Sequence, residues 1–245
     1  MPEIFAFAAV SSAWILTLGF LLGLKHATDA DHLAAVSTIV SERKSLFSSS
    51  IIGGIWGLGH TISLVLAGFL VLLFDFHISE RMEGYLELSV GIMLVLLGAN
   101  VFRKIIQGSE LHFHSHQHAG REHAHPHIHE SRIKDAPHTH HGLSFSPRAL
   151  IVGMIHGLAG SAALMLLILQ TIESKTVGLF YIIVFGVGSI GGMMLMSFLV
   201  GLPFHLTALR LNRFNSLLRG AAGLFSVLWG LKMILDKGFS IELFS

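Results

Sequence analysis

The sequence predicts an all-α integral membrane protein, with about six transmembrane helices arranged as two inverted three-helix repeats. Three observations predict it. Of the 245 residues, 52% are hydrophobic and only 13% charged, and the mean hydropathy is +0.69; a soluble fold, with roughly 25% charged residues, covers its surface far better. The apolar residues come in blocks of about 20, the length that crosses a hydrocarbon core of about 30 Å. Finally, weak internal similarity flanks a polar insert. The net charge of +1 gives no electrostatic footprint for nucleic acid. The absence of cysteine excludes disulfides, thiolate metal sites and thiol-redox relays.

Six apolar segments are expected, at about 5–38, 50–75, 84–105, 148–172, 177–201 and 214–235. The first differs from the rest. An apolar run to Leu24 is interrupted by Lys25-His26-Ala27-Thr28-Asp29-Ala30-Asp31-His32, after which Leu33–Val40 is apolar again but too short to span alone. It reads as one long or broken helix with its polar centre inside the membrane. No basic n-region or small-residue cleavage site opens the chain, so a removable signal peptide is not expected.

Lys and Arg set the orientation. Arg43 and Lys44 follow the first span, Arg103, Lys104 and Arg148 flank the loop between the third and fourth, and Arg210 and Arg213 precede the sixth. Six spans place all of these on one side, which is expected to be the cytoplasm. Both termini then face outward. The chain divides into a first three-helix repeat (1–106), a His-rich insert (107–147) and a second three-helix repeat (148–245). Eleven histidines lie in the insert, between His112 and His141, among Ser, Pro and Gly. That composition cannot build a packed core and predicts disorder, on the cytoplasmic side, with a role in metal capture.

Across the insert, Gly23-Leu24-Lys25-His26 aligns with Gly153-Met154-Ile155-His156, and Gly57-Leu58-Gly59 with Gly186-Val187-Gly188. In the third spans Gly91 and Gly98 align with Gly223 and Gly230. The offsets are 130, 129 and 132 residues. An odd number of spans per repeat inverts the second copy, a common plan of secondary transporters with a midplane site.

His26, Asp29, Asp31 and His32 fall within seven residues at membrane depth, where ionisable groups are costly and mark functional sites. On an unbroken helix His26, Asp29 and His32 share an arc, and Asp31 joins them only if the helix unwinds. His60 stands alone among apolar residues and glycines in the second span. His156 holds in the second half the place of His26, without the acidic neighbours, and is expected at the opposite wall; Asp29 and Asp31 fall opposite Ala159 and Ser161. Imidazole with carboxylate suits a borderline divalent cation such as nickel, cobalt or zinc. His77 and His205, at span ends, read as surface residues, and Asp75 and Glu87 as interfacial ones. There is no His-Glu-x-x-His and no separate general base in a span, so an intramembrane metalloenzyme is not expected.

The segment Gly23–Leu33 resembles the signature of the nickel/cobalt transporter (NiCoT) family, a His, four residues, then Asp-His. Leu58-Gly59-His60-Thr61 is similar to the family's Leu-Gly-His-Ser/Thr segment. Long members have eight spans; six spans look more like the short UreH-like nickel permeases, and the second half lacks the acidic, Thr-rich motifs of the long members. The resemblance implies His26, Asp31, His32 and His60 as metal-site residues, with Asp29 as a contributor. It implies a secondary transporter of Ni²⁺, with Co²⁺ as the second choice of substrate, no cofactor, and rocking of one repeat against the other. The membrane potential, about 4.6 kcal/mol for a divalent cation at 100 mV, favours uptake. The insert serves either direction, handing metal to a cytoplasmic metallochaperone or feeding an efflux path.

Overall fold

The computed structural model describes residues 2–43, 45–74, 79–107, 111–118, 121–128, 146–159, 172, 174–208 and 211–240. The first predicted span is two helices, α1 (Pro2–His26) and α2 (Ala30–Val40). Then follow α3 (Leu46–Phe74), α4 (Glu80–Ile106), a hairpin of β1 (Leu111–His118) and β2 (Arg121–Ile128), and α5 (Pro147–Gly157). The last two helices are α6 (Lys175–Ala208) and α7 (Asn212–Ser240). Among the described residues, α3, α4, α6 and 213–238 of α7 are long and apolar enough to cross a membrane; Ala13–His26 and α2 are shorter apolar pieces. Of the fourth predicted span, 148–172, the helix α5 is described, and 160–171, with Ser161, lies outside the described residues, as do Asp75 and His77.

Helix ends follow local chemistry. Ser79 caps α4 by accepting the Met82 N–H at 3.2 Å, with Glu80 and Glu83 in the first turn and Arg103 and Lys104 in the last. Each charge complements the helix dipole. In α6, Pro203 lies inside the helix. The Asn215 amide of α7 donates to the Phe204 carbonyl at 2.8 Å and ties the two helices at their shared end.

Residues 111–118 and 121–128 pair as antiparallel strands, with His112 opposite His127, His114 opposite His125 and His116 opposite His123. The physical reason is visible in the sequence: histidine at every second position is the period of a strand, not of a coil. Residues 129–145 lie outside the described ones.

Glycines bring the helices together, and they do so between the halves of the chain. The α6 helix lies between α1 and α3, α5 lies on α3, and α4 pairs with α7. A Cβ on Gly23 would strike the Phe185 carbonyl, and one on Gly188 the Phe20 carbonyl. The same is true of Gly153 against the Trp56 carbonyl and Gly59 against the Leu150 carbonyl. Gly91 meets Gly230, and Gly98 meets Gly223. Small residues at such crossings let backbones approach where the hydrophobic effect gives helices no reason to associate. These contacts come in pairs under the sequence offsets: Gly23–Phe185 with Gly153–Trp56, Phe20–Gly188 with Leu150–Gly59, and Gly91–Gly230 with Gly98–Gly223.

Inside, Ala34, Ala35, Trp56, Val90, Leu94 and Met193 form one apolar cluster, and Leu64, Tyr181, Ile182 and Phe185 a second. Outside, large apolar side chains stand free, among them Trp14 and Phe47 (71% exposed each) and Leu96 (65%). Small residues within and large ones without is the pattern of a bundle whose solvent is lipid.

Replacing Gly98 with Leu should push α4 from α7 and cost about 1–3 kcal/mol, the usual penalty for overpacking. Thermal unfolding of detergent-purified protein should show a lowered midpoint for Gly98→Leu and none for Leu96→Val on the outer face. Equal midpoints would mean that the α4–α7 contact is looser than described.

Candidate metal centre

The break between α1 and α2 makes the site. After His26 the chain turns, with Thr28 N–H on the Lys25 carbonyl at 2.9 Å and Asp29 N–H on the His26 carbonyl at 3.0 Å. Asp29 then adopts an extended conformation (φ −64°, ψ 148°) as the N-cap of α2, and its carbonyl accepts the Leu33 N–H. An Asp at this position normally caps the helix with its carboxylate. Here the carboxylate makes no cap and accepts instead from His26 Nδ1, at 2.7 Å. Three residues of turn rotate α2 relative to α1. Asp31, which an unbroken helix would point away, thereby joins the other side chains.

Asp31 carries two imidazoles. His32 Nδ1 donates to Oδ1 at 3.0 Å, and His156 Nε2, at the end of α5, donates to Oδ2 at 2.9 Å. The His32 backbone N–H donates to Oδ1 as well, at 2.9 Å. Since a carboxylate only accepts, these bonds put the ring protons on His26 Nδ1, His32 Nδ1 and His156 Nε2. The opposite nitrogens are left with lone pairs. His26 Nε2, His32 Nε2 and His156 Nδ1 are buried without a hydrogen-bond partner among the described residues, and so are both nitrogens of His60.

The rings lie close together. Centroids are 4.2 Å apart for His26 and His32, 5.1 Å for His26 and His60, 5.2 Å for His32 and His60, and 4.1 Å for His32 and His156. Two groups have donor atoms within 4.8 Å of one another: His26, His32 and His60, and Asp31, His32 and His156. His32 belongs to both. All six residues singled out in the sequence, His26, Asp29, Asp31, His32, His60 and His156, are therefore brought into one cluster, whereas His205 stands apart at the end of α6.

Glycines admit these rings to the centre. Gly59, beside His60, faces α5, and Gly157, beside His156, faces the His60 backbone. Trp56, one turn before His60 and almost fully buried, walls the cluster, 5.3 Å from His32 and 5.5 Å from His156. Phe185 of α6 stands 5.8 Å from His26. Sequence reasoning missed both. Trp56 lies four residues before His60, so helical spacing was a signal for it; nothing local pointed to Phe185.

Unpaired buried polar atoms are rare, because each costs about 1–3 kcal/mol. Four imidazoles whose ring nitrogens lack a partner among the described residues are gathered in one enclosure. Nitrogen donors held by carboxylates on their far side are the usual partners of a borderline transition-metal cation.

The chain is 38% identical over 230 residues to the urease accessory protein UreH of Bacillus sp. (strain TB-90), a match covering 94% of each chain. It is 35% identical over 86 residues to the high-affinity nickel transport protein of Cupriavidus necator, across 35% of this chain and 24% of that one. The chloroplast protein FOR GROWTH AND FERTILITY 1 of Arabidopsis thaliana matches 96% of this chain at 25% identity, over 63% of its own length. No family model and no solved structure matches the chain.

Trp56 should matter to stability and not only to chemistry. Trp56→Ala, leaving a cavity beside His32 and His156, should cost about 3–5 kcal/mol, and Trp56→Phe distinctly less. Thermal unfolding in detergent measures both, and an unchanged midpoint for the Ala variant would mean the enclosure collapses without loss.

Proposed function

Because this chain belongs to the nickel/cobalt transporter family, in its short UreH-like branch, we propose that it moves Ni²⁺ inward across the cytoplasmic membrane as a secondary transporter, with Co²⁺ as the alternative cargo. The observation that carries this reading is the cluster of buried imidazole nitrogens without partners at the break of a membrane helix. The relative from Cupriavidus necator is itself a high-affinity nickel transport protein.

In this reading His26 Nε2, His32 Nε2 and a nitrogen of His60 take the ion, replacing water. Asp29 and Asp31 act one bond further out, fixing the ring tautomers and raising ligand basicity. That differs from the expectation that Asp31 binds metal directly, since both its oxygens already hold ring N–H groups. His156 belongs to the other half of the chain, and through Asp31 it reports the position of α5 to the ligands of α1 and α2.

The six-span, inverted-repeat plan is part of the same reading. The pairing of glycine contacts supports it: a two-fold axis that relates the halves turns each contact between them into a second one. Rocking of whole repeats fits less well, because the closest helix crossings join the halves and a swing would have to open them all. The separable body is the α4–α7 pair. Cavities lie along its seam with the rest of the bundle. One, of about 370 Å³, meets the break at His26, Asp29 and Asp31. The other, of about 130 Å³, lies between α2, α4 and α5 at Glu42, Arg43 and Arg148, where Lys104 Nζ bridges to Glu42 at 2.6 Å. Tilting α4 with α7 opens one and closes the other.

By the distribution of Lys and Arg, the second cavity and the His-rich insert face the cytoplasm. The insert then receives the ion and passes it to a metallochaperone. No step needs a catalytic nucleophile or a cofactor, and the chain acts on its cargo by carrying it.

Radiolabelled nickel accumulation in cells tests this directly. Cells expressing the chain should exceed the empty vector; His26→Ala, His32→Ala and His60→Ala should fall to the vector level at normal membrane abundance. Asp29→Asn should keep transport but weaken apparent affinity about 10–100-fold, as loss of an orienting carboxylate does. Accumulation below the vector, restored in His26→Ala, would make the protein an exporter.

A further inference from the structure

The cavity of about 370 Å³ that reaches the helix break is built from both bodies of the protein. From α1, α2 and the turn between them come Lys25, His26, Asp29 and Asp31; from α4 comes Glu87, and from α7 Trp229 and Met233. Its chemistry is graded. On its inner wall stands His26, 8% exposed, with Nε2 free of any partner among the described residues. Asp29 is about half exposed and offers the oxygen that His26 leaves free. Across from them, Glu87 lies in the second turn of a membrane helix with its carboxylate 14% exposed, paired with Lys237 Nζ of α7 at 2.6 Å. Asp31 has both oxygens occupied by His32 and His156.

A carboxylate at that depth needs a cation. Lys237 is a point charge on a flexible stem, more exposed than the group it neutralises, and is the kind of partner that can leave. A hydrated divalent cation carries more charge than an ammonium and is better matched by carboxylate oxygens than by imidazole until it sheds its water. Oxygen at the mouth and nitrogen at the base therefore form a sequence of hosts for an ion that dehydrates as it moves inward.

We propose that Glu87 is an entry ligand: it takes a hydrated divalent cation into this cavity in exchange for the Lys237 ammonium and delivers it, past Asp29, to His26. The proposal rests on the transport reading above. It assigns Glu87 and Lys237 opposite roles, Glu87 as host and Lys237 as the competitor that the ion displaces.

Opposite roles make the test. Initial rates of nickel uptake are measured against concentration for the full chain. Glu87→Gln should raise KM about tenfold, with the maximal rate within about twofold of wild type at equal abundance. Lys237→Met should leave KM unchanged or lower it, and the double variant should behave as Glu87→Gln. If the pair serves only to hold α4 to α7, both single variants lose abundance and maximal rate together, and the double variant recovers; that result overturns the proposal. A second readout does not need transport. With Trp14 and Trp56 replaced by Phe, Trp229 reports on the cavity, and Ni²⁺ should quench its fluorescence in the parent and in Lys237→Met but at about tenfold higher concentration in Glu87→Gln. Quenching that depends on Glu87 in a protein that does not accumulate nickel would sink the transport reading and leave the entry ligand standing. Quenching indifferent to Glu87 would sink the entry ligand alone.

Discussion

One carboxylate joins the two halves of this protein at its centre. Asp31 accepts from His32 with one oxygen and from His156 with the other, so a residue of α2 fixes the ring beside it and a ring from α5. Much near it follows from the need to bring these three side chains together. The chain must unwind after His26, or Asp31 would face elsewhere. The α5 helix must lie close to α3, and glycines at 59, 153 and 157 make room for it. The ring nitrogens on the far side of these bonds are left without a partner among the described residues. Such unanswered buried nitrogens carry a cost in stability, concentrated at this one place.

Much of this was legible in the sequence, and for definite reasons. Helices in a membrane must be long and apolar, so the four that are long enough to cross one among the described residues could be placed from the sequence. Polar residues in such helices stand out against the background, which is why His26, Asp29, Asp31, His32, His60 and His156 could be named before any geometry existed. The break itself was visible as a span too long and too polar in its middle. What could not be read was the partner of each group. That Asp29 turns from its capping role to His26 depends on one ψ angle. That Glu87 meets Lys237, 150 positions away, depends on how α4 and α7 cross, and Glu87 by itself read as an interfacial residue. The hairpin in the insert was hidden in plain sight: composition spoke for disorder while spacing spoke for strands.

The repeat teaches a related lesson. Three short matches at nearly equal offsets could be found by eye, but sequence similarity carries no information on which copy touches which. In space the two halves of the chain are interleaved, with Gly23, Gly59, Gly98, Gly153 and Gly188 each pressed to a backbone carbonyl of the other half. Two structures built from the same repeats, one with the halves side by side and one with them interlocked, would share this sequence pattern.

Interleaving also governs how the protein is made. The glycine faces of α1 and α3 find their partners on α6, and α4 finds its own on α7, each more than a hundred residues further along the chain. At the usual 5–20 residues per second of synthesis, the first half enters the membrane on the order of ten seconds before the second can cover it. For that interval its small-residue grooves and the ionisable groups of the first span face lipid or the insertion machinery. The insert of about 40 residues between the halves prolongs the wait. The first half is in this sense a template, held open until the rest of the same molecule arrives.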